Sequence, residues 1–178
     1  MTDLAIISLP RLDLTRPAIA PAILSSLANQ RGVKNKVFDF ALATHDRSTR
    51  ADWQEYELFW QVDLKHQLAT ETKNRLDKLF DSFVEEVLQE EPSWIAIRVF
   101  TYNSINATNL FLEKIRLRTN AKILVGGVGI ETKIDDKKTY AHTLLDEGLI
   151  DYFCAGEAET TFAKLMEGET EGRGINNF

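Results

Sequence analysis

KILVGG, Lys122 to Gly127, and DYFCAGE, Asp151 to Glu157, decide how this chain is read. Each is an apolar run that stops on glycine, the second with a carboxylate directly after it. The helical-looking stretch between them completes one strand–helix–strand unit. In an open parallel sheet, ligands sit outside the carboxyl ends of the strands. Glycine at such an end lets the backbone turn with φ > 0, or lets a ligand approach where a Cβ would obstruct it. The pair therefore marks a binding edge. Plainer readings stay open beside it: a tight strand-to-loop turn at Gly126-Gly127, and at Gly156-Glu157 a turn with a helix-start carboxylate favoured by the macrodipole.

Working outward, LAIISL (Leu4 to Leu9), bounded by Pro10, reads as a first buried strand. Thr15 to Gly32 reads as a helix with Pro17 near its first turn and Gly32 just past its end; Ile19, Ile23, Leu24 and Leu27 recur at helical spacing. KVFDF (Lys36 to Phe40) is a second strand, followed by a polar, helix-poor stretch from Ala43 to Arg50. Trp53, Tyr56, Phe59 and Trp60 fall three or four apart and make an aromatic helix face. Such a face is most simply core; a lid over the crevice, or an interface to a further domain, is the alternative. A longer helix is expected from about Thr70 to Glu90, with Leu76, Leu79, Phe80, Phe83, Val84, Val87 and Leu88 turned inward. WIAIRVF (Trp94 to Phe100) is the third strand, and Asn106 to Thr119 a helix carrying Leu110, Phe111, Ile115 and Leu117. A helix near Asp136 to Glu147 and another from Glu159 to Glu167 complete the alternation.

This pattern is α/β: a three-layer Rossmann-like, flavodoxin-like domain with a five-stranded parallel sheet in the order 2-1-3-4-5. The domain is expected to span 1–168, and 169–178, rich in Gly, Glu and Asn, to be a linker or tail toward an absent domain. The chain of 178 residues is 44% hydrophobic and 27% charged, ordinary for a soluble domain. Its net charge of -6 argues against nucleic acid as a partner, which needs a basic surface. No apolar stretch approaches bilayer-spanning length, and no signal peptide stands at the N-terminus, so no membrane partner is expected. One cysteine, Cys154, rules out a disulfide framework and fits a reducing, cytoplasmic setting. It reads as an inert buried thiol. His45, His66 and His142 are scattered and lack ligand spacing, so no metal-binding residue is assigned.

If the strands are parallel, Pro10-Arg11-Leu12, Asp39, Phe100 to Asn103, Gly126 to Gly129 and Gly156-Glu157 meet at one edge. Neither GxGxxG nor GxxxxGK[ST] is present there, which argues against a dinucleotide or P-loop site. Arg98, alternating with Ile97 and Val99, fits an ion pair on the polar face of the sheet, with Asp39 a plausible partner, or an anion contact.

Four stretches carry a family resemblance: RPAIAPAILSSLANQRG followed by KVFDF, the aromatic segment around Trp53 to Trp60, WIAIRVFTYNS, and VGG followed by DYFCAGEAET. Together they resemble the N-terminal cobalamin-binding-type domain of cobalamin-dependent radical S-adenosylmethionine enzymes, over nearly the whole chain. The resemblance implies a corrin held at the C-terminal strand edge, with its dimethylbenzimidazole nucleotide tail between sheet and helices. By position, Gly126 and Gly127 would leave room for the tail, so that Gly127→Leu is expected to fill it. Thr101, Asn103 and Ser104 would donate hydrogen bonds to its phosphate or amides. Pro10, Arg11, Leu12 and Asp13 would lie near the corrin, and Gly156 and Glu157 would line the far side.

Three departures qualify what the resemblance implies. The first loop, PRLDLTRP, lacks Asp-x-His-x-x-Gly, so cobalamin would bind without a protein histidine on cobalt. Arg98 stands where the family has a small residue, and would fill the tail pocket or pair with an anion. CxxxCxxC is absent, so the S-adenosylmethionine and 4Fe-4S iron–sulfur chemistry would belong to a missing radical SAM catalytic domain, in cis or in trans. The expectation is a cobalamin-binding domain that is not catalytic alone. The alternative is a degenerate domain that binds no corrin and serves as a scaffold or protein-interaction module.

Overall fold

A computed structural model describes residues 2–10, 19–156, 159–166 and 175–176. Arg11, Leu12, Asp13 and Glu157, together with Thr15, Pro17 and most of the tail, lie outside the described residues. Strands β1 (Leu4–Ser8), β2 (Asn35–Asp39), β3 (Trp94–Arg98), β4 (Lys122–Gly126) and β5 (Tyr152–Ala155) form a parallel sheet in the order 2-1-3-4-5. This is the α/β, Rossmann-like topology that the alternation predicts. A two-residue strand β6 (Ile175–Asn176), in the segment read as a linker, adds a short parallel pairing to β5.

The helices are α1 (Ile19–Gln30), α2 (Phe40–Arg47), α3 (Arg50–Trp60), α4 (Thr70–Leu88), α5 (Ile105–Arg116), α6 (Tyr140–Asp146) and α7 (Glu159–Met166). Two findings differ from the sequence expectation here. The stretch after β2 is not helix-poor: Phe40 leaves the strand and starts α2, with Asp39 as its N-cap accepting from the Leu42 N–H at 3.1 Å. A capping carboxylate satisfies one of the orphan N–H groups of the first turn, and Phe40, Ala41 and Thr44 supply a buried face. Second, α6 begins at Tyr140 rather than near Asp136. Asp135 instead holds a turn, its Oδ1 accepting from the Lys137 and Lys138 N–H groups at 2.7 and 2.8 Å.

Alternation along the strands splits the core into two unequal layers. Ala5, Ile7, Ile95, Ile97, Ile123, Val125 and Phe153 pack against the aromatic and aliphatic faces of α3, α4, α5 and α6. Tyr56 and Trp60 are fully buried there, and Phe40 stacks on Phe83 at 4.2 Å between ring centroids, so the aromatic segment is core. The opposite sheet face offers Leu4, Ile6, Ala96, Leu124 and Cys154, covered by Ala28 of α1 and Phe162 and Leu165 of α7. This second layer is thin. Pro21 and Ala28 face inward from α1, whereas Ile19 and Ile23 are 69% and 39% exposed. On α5 the inward row ends at Ile115, and Leu117 is 88% exposed beyond the helix.

Asp151, the first residue of the DYFCAGE run, sits at the N-terminal edge of the sheet, away from the glycine-bearing C-terminal edge. Its Oδ2 accepts from the Ile123 N–H at 2.9 Å and from Arg116 Nη1 at 3.0 Å, tying the starts of β4 and β5 to the end of α5. That part of the motif has a structural reason.

Candidate functional site

Ser8, Arg98, Gly126 and Cys154 are register partners in turn across β1, β3, β4 and β5. Below them, one strand repeat toward the N-terminal edge, lie Ile6, Ala96, Leu124 and Tyr152. All face the α1/α7 layer, because side chains two apart on a strand share a face. Ala96, Gly126 and Cys154 are small, so the sheet is hollowed at this point. The two helices span the hollow without filling it, leaving a cavity of about 250 Å³. Its wall includes Ile6, Ile23, Leu24, Ala96, Leu124, Cys154 and Phe162, with Arg98, Gly126, Gly127, Gly156 and Glu159 toward the C-terminal edge. The exposure of Ile23 thus has a local cause: it borders this space.

The adjacent glycines differ in what they do. A Cβ added at Gly126 would lie 3.6 Å from the Cys154 carbonyl oxygen and 3.7 Å from its Cβ, ordinary contact distances. Gly127 has φ +104°, and a Cβ there would lie 2.6 Å from the Val99 carbonyl oxygen. Gly129 is equally confined, with the Thr101 carbonyl oxygen 2.6 Å from an added Cβ. The Gly129 N–H donates to Val99 O at 3.1 Å, and the Val99 N–H to Gly126 O at 2.8 Å. Gly127 and Gly129 are therefore required by the close approach of the β3 and β4 loops, which is the plain turn reading. Gly126 is the glycine whose missing side chain leaves room in the cavity. Gly156 has φ +72°, and its N–H donates to Glu131 Oε1 at 3.1 Å, linking the loops that follow β4 and β5.

Arg98 borders the cavity with its guanidinium 4.3 Å from the Phe100 ring centroid, a cation–π distance. The volume remains open with Arg98 in place, so the arginine stands at the wall without filling the space. Asp39, a plausible partner in sequence, is engaged as the cap of α2. Cys154 is buried, and burial pushes its thiol up to about 12, so it is neutral and unreactive at physiological pH.

Pro10 is buried at the end of β1 and does not border the cavity. Thr101, Asn103 and Ser104 lie outside it too, in the turn that leads from β3 into α5. This turn is tied down by Tyr102, whose hydroxyl donates to Asp63 Oδ2 at 2.9 Å. Asn103 Oδ1 and Ser104 Oγ are shielded there without a hydrogen-bond partner. Arg98, Gly126, Gly127 and Gly156 are thus brought together, and Thr101, Asn103 and Ser104 form a separate cluster. Sequence reasoning missed Ala96, Leu124, Leu24 and Phe162. A signal for Ala96 was available: it is a small residue in an apolar strand, one strand repeat below the row that holds small Gly126 and Cys154, and Leu124 follows as its register partner. Phe162 and Leu24 carry no such mark, since their roles arise from how α7 and α1 lie across the sheet.

No family model matches the chain, and no curated protein matches it in sequence. Among solved structures it is similar to the radical S-adenosylmethionine methyltransferase TsrM from Kitasatospora setae with tryptophan substrate and a SAM analogue bound. The TM-score is 0.60 at 17% identity, over 97% of this chain and 26% of that one. TsrM with cobalamin and a [4Fe-4S] cluster bound gives a TM-score of 0.57 at 18% identity, over 97% of this chain and 25% of that one. UDP-GlcNAc 2-epimerase from Neisseria meningitidis, bound to UDP-GlcNAc, follows at a TM-score of 0.45 and 15% identity, over 99% of this chain and 45% of that one. The chain spans about a quarter of the length of TsrM. At these identities the likeness is one of fold: nearly the whole chain shares the Rossmann-like architecture of a segment of TsrM.

Proposed function

We propose that this chain is a cobalamin-binding-type domain that works with a radical SAM catalytic domain, in cis or in trans. The observation that carries the reading is the cavity of about 250 Å³ between the sheet and α1/α7, at the ligand edge of the fold. Small-molecule pockets run from roughly 300 to 1,000 Å³. A slightly smaller, mostly apolar hollow suits one end of a large ligand better than a whole one. A corrin lying over the strand ends with a two-ring base inserted beneath would use such a hollow for the base alone.

The residues present fit that group. Gly126 leaves the opening, Ala96 and Leu124 form the floor, and Leu24 and Phe162 close the helical side. Arg98 stands at the wall, where a guanidinium would pair with the nucleotide phosphate. Bound cobalamin would supply methyl transfer or the steering of radical chemistry. The chain's own part is to bind the cofactor, orient it and keep its tail dry. With one cysteine, it would take the cluster and S-adenosylmethionine from the catalytic domain.

Incubation with hydroxocobalamin, desalting and a visible spectrum test this reading. The wild-type chain is expected to retain corrin near one equivalent. Gly126→Leu, which tolerates its Cβ and fills the opening, is expected to retain none while keeping the wild-type circular dichroism spectrum. A colourless wild-type protein would overturn the proposal and leave the scaffold reading in its place.

A further inference from the structure

The chemistry of the cavity wall narrows which corrinoid this site takes. Ile6, Leu24, Ala96, Leu124 and Phe162 present only carbon, and the Cys154 thiol is a weak hydrogen-bonding group. Arg98 and Glu159, the charged residues of the wall, stand toward the C-terminal edge, at the mouth. Among the described residues, three shielded side-chain atoms lack partners: Trp60 Nε1, Asn103 Oδ1 and Ser104 Oγ. All three belong to residues outside the cavity wall. Among the described residues, the side chains of the deep wall therefore offer a buried polar base no strong hydrogen-bonding partner.

Resting on the proposed corrin reading, we infer that this cavity selects corrinoids by their tail base, accepting an apolar two-ring base and rejecting a polar one. Dimethylbenzimidazole presents methyl groups, hydrocarbon edges and a single free ring nitrogen. Adenine, of similar size, presents an exocyclic amine and several ring nitrogens. Each of these would exchange water for carbon on entering, and an unsatisfied buried polar group is penalised more heavily than a satisfied one is rewarded. Shape would admit both bases; desolvation separates them. A corrinoid with no tail would forgo burial in the hollow altogether and lean only on the strand-end loops.

Three probes test this by spectroscopic titration of the full chain: hydroxocobalamin, the corrinoid carrying adenine in place of dimethylbenzimidazole, and cobinamide, which has no base. Hydroxocobalamin is expected to bind roughly tenfold or more tighter than the adenine form, and tighter than cobinamide. Gly126→Leu is expected to weaken hydroxocobalamin toward the level of cobinamide and to leave cobinamide unchanged. Equal affinity for the two bases, or a preference for adenine, would overturn base selection while leaving corrin binding intact. Gly126→Leu weakening cobinamide as much as hydroxocobalamin would overturn it also, since the tail would then not occupy the hollow. Failure of all three probes to bind would instead overturn the corrin reading itself.

Discussion

Gly126 and Gly127 are neighbours, yet a methyl group added to each meets different surroundings. At Gly127 it would strike the Val99 carbonyl oxygen at 2.6 Å in a backbone with φ +104°, so the position is closed to L-residues by backbone atoms that cannot swing aside. Gly127→Ala is expected to destabilise the fold by about 2 kcal/mol or more. Gly126→Ala should stay within about 0.5 kcal/mol of wild type, because its Cβ finds ordinary contact and a strand glycine gains little from its freedom. Urea denaturation of the two variants checks the contrast, and equal losses would contradict it. This alters the expected lever at the site: Gly127→Leu would disrupt the loop before it reported on a ligand, whereas Gly126→Leu addresses the cavity. The run KILVGG announced a special edge legibly. Which glycine served the turn and which the hollow was not legible, because that depends on how closely the β3 loop approaches, a tertiary fact.

At the scale of elements, α3 and α4 are joined by a carboxylate–guanidinium clamp that the sequence did not announce. Asp52 is buried, and Arg75 Nε and Nη2 donate to it at 2.6 to 3.1 Å. These bonds hold the Asp52 carboxyl below its ordinary value of 3.8, against the upward push of burial. A carboxylate whose folded value is depressed contributes stability that is full above its unfolded value and is lost as pH falls through the folded one. The clamp therefore acts at neutral pH and fades on acidification below about pH 4. Asp52→Asn is expected to lower stability at pH 7 by on the order of 1–2 kcal/mol, moderated by the half-exposed arginine. It should also flatten the loss of stability as pH falls below about 4, read by thermal melts along that acid limb; equally steep acid limbs in both proteins would contradict the assignment. Elements with strong periodicity, such as α4 with Leu76, Phe80, Phe83 and Val87, were legible in the sequence. Helix α2 was not, because its stretch is largely polar and its start rests on the Asp39 cap and the single buried stripe of Phe40, Ala41 and Thr44.

At the scale of the whole molecule, the two faces of the sheet are built differently. One carries the interlocked aromatic core of α2 through α6; the other has two helices, a short list of apolar residues and a hollow. Apolar surface lining an open hollow stays in contact with water, and an occupant would remove it from water. The fold class followed from alternating apolar runs and helical faces, and the parallel order 2-1-3-4-5 agrees with it. The cavity did not follow from those patterns, since it arises where small residues on three strands lie beneath helices that do not reach them. A crystal structure of the chain grown with hydroxocobalamin tests whether the hollow holds the tail of a corrin. Corrin density is expected over the C-terminal strand ends, with the dimethylbenzimidazole between Gly126 and Phe162. Density for the base outside that cavity, or a cavity filled by protein side chains with no corrin bound, would contradict that expectation.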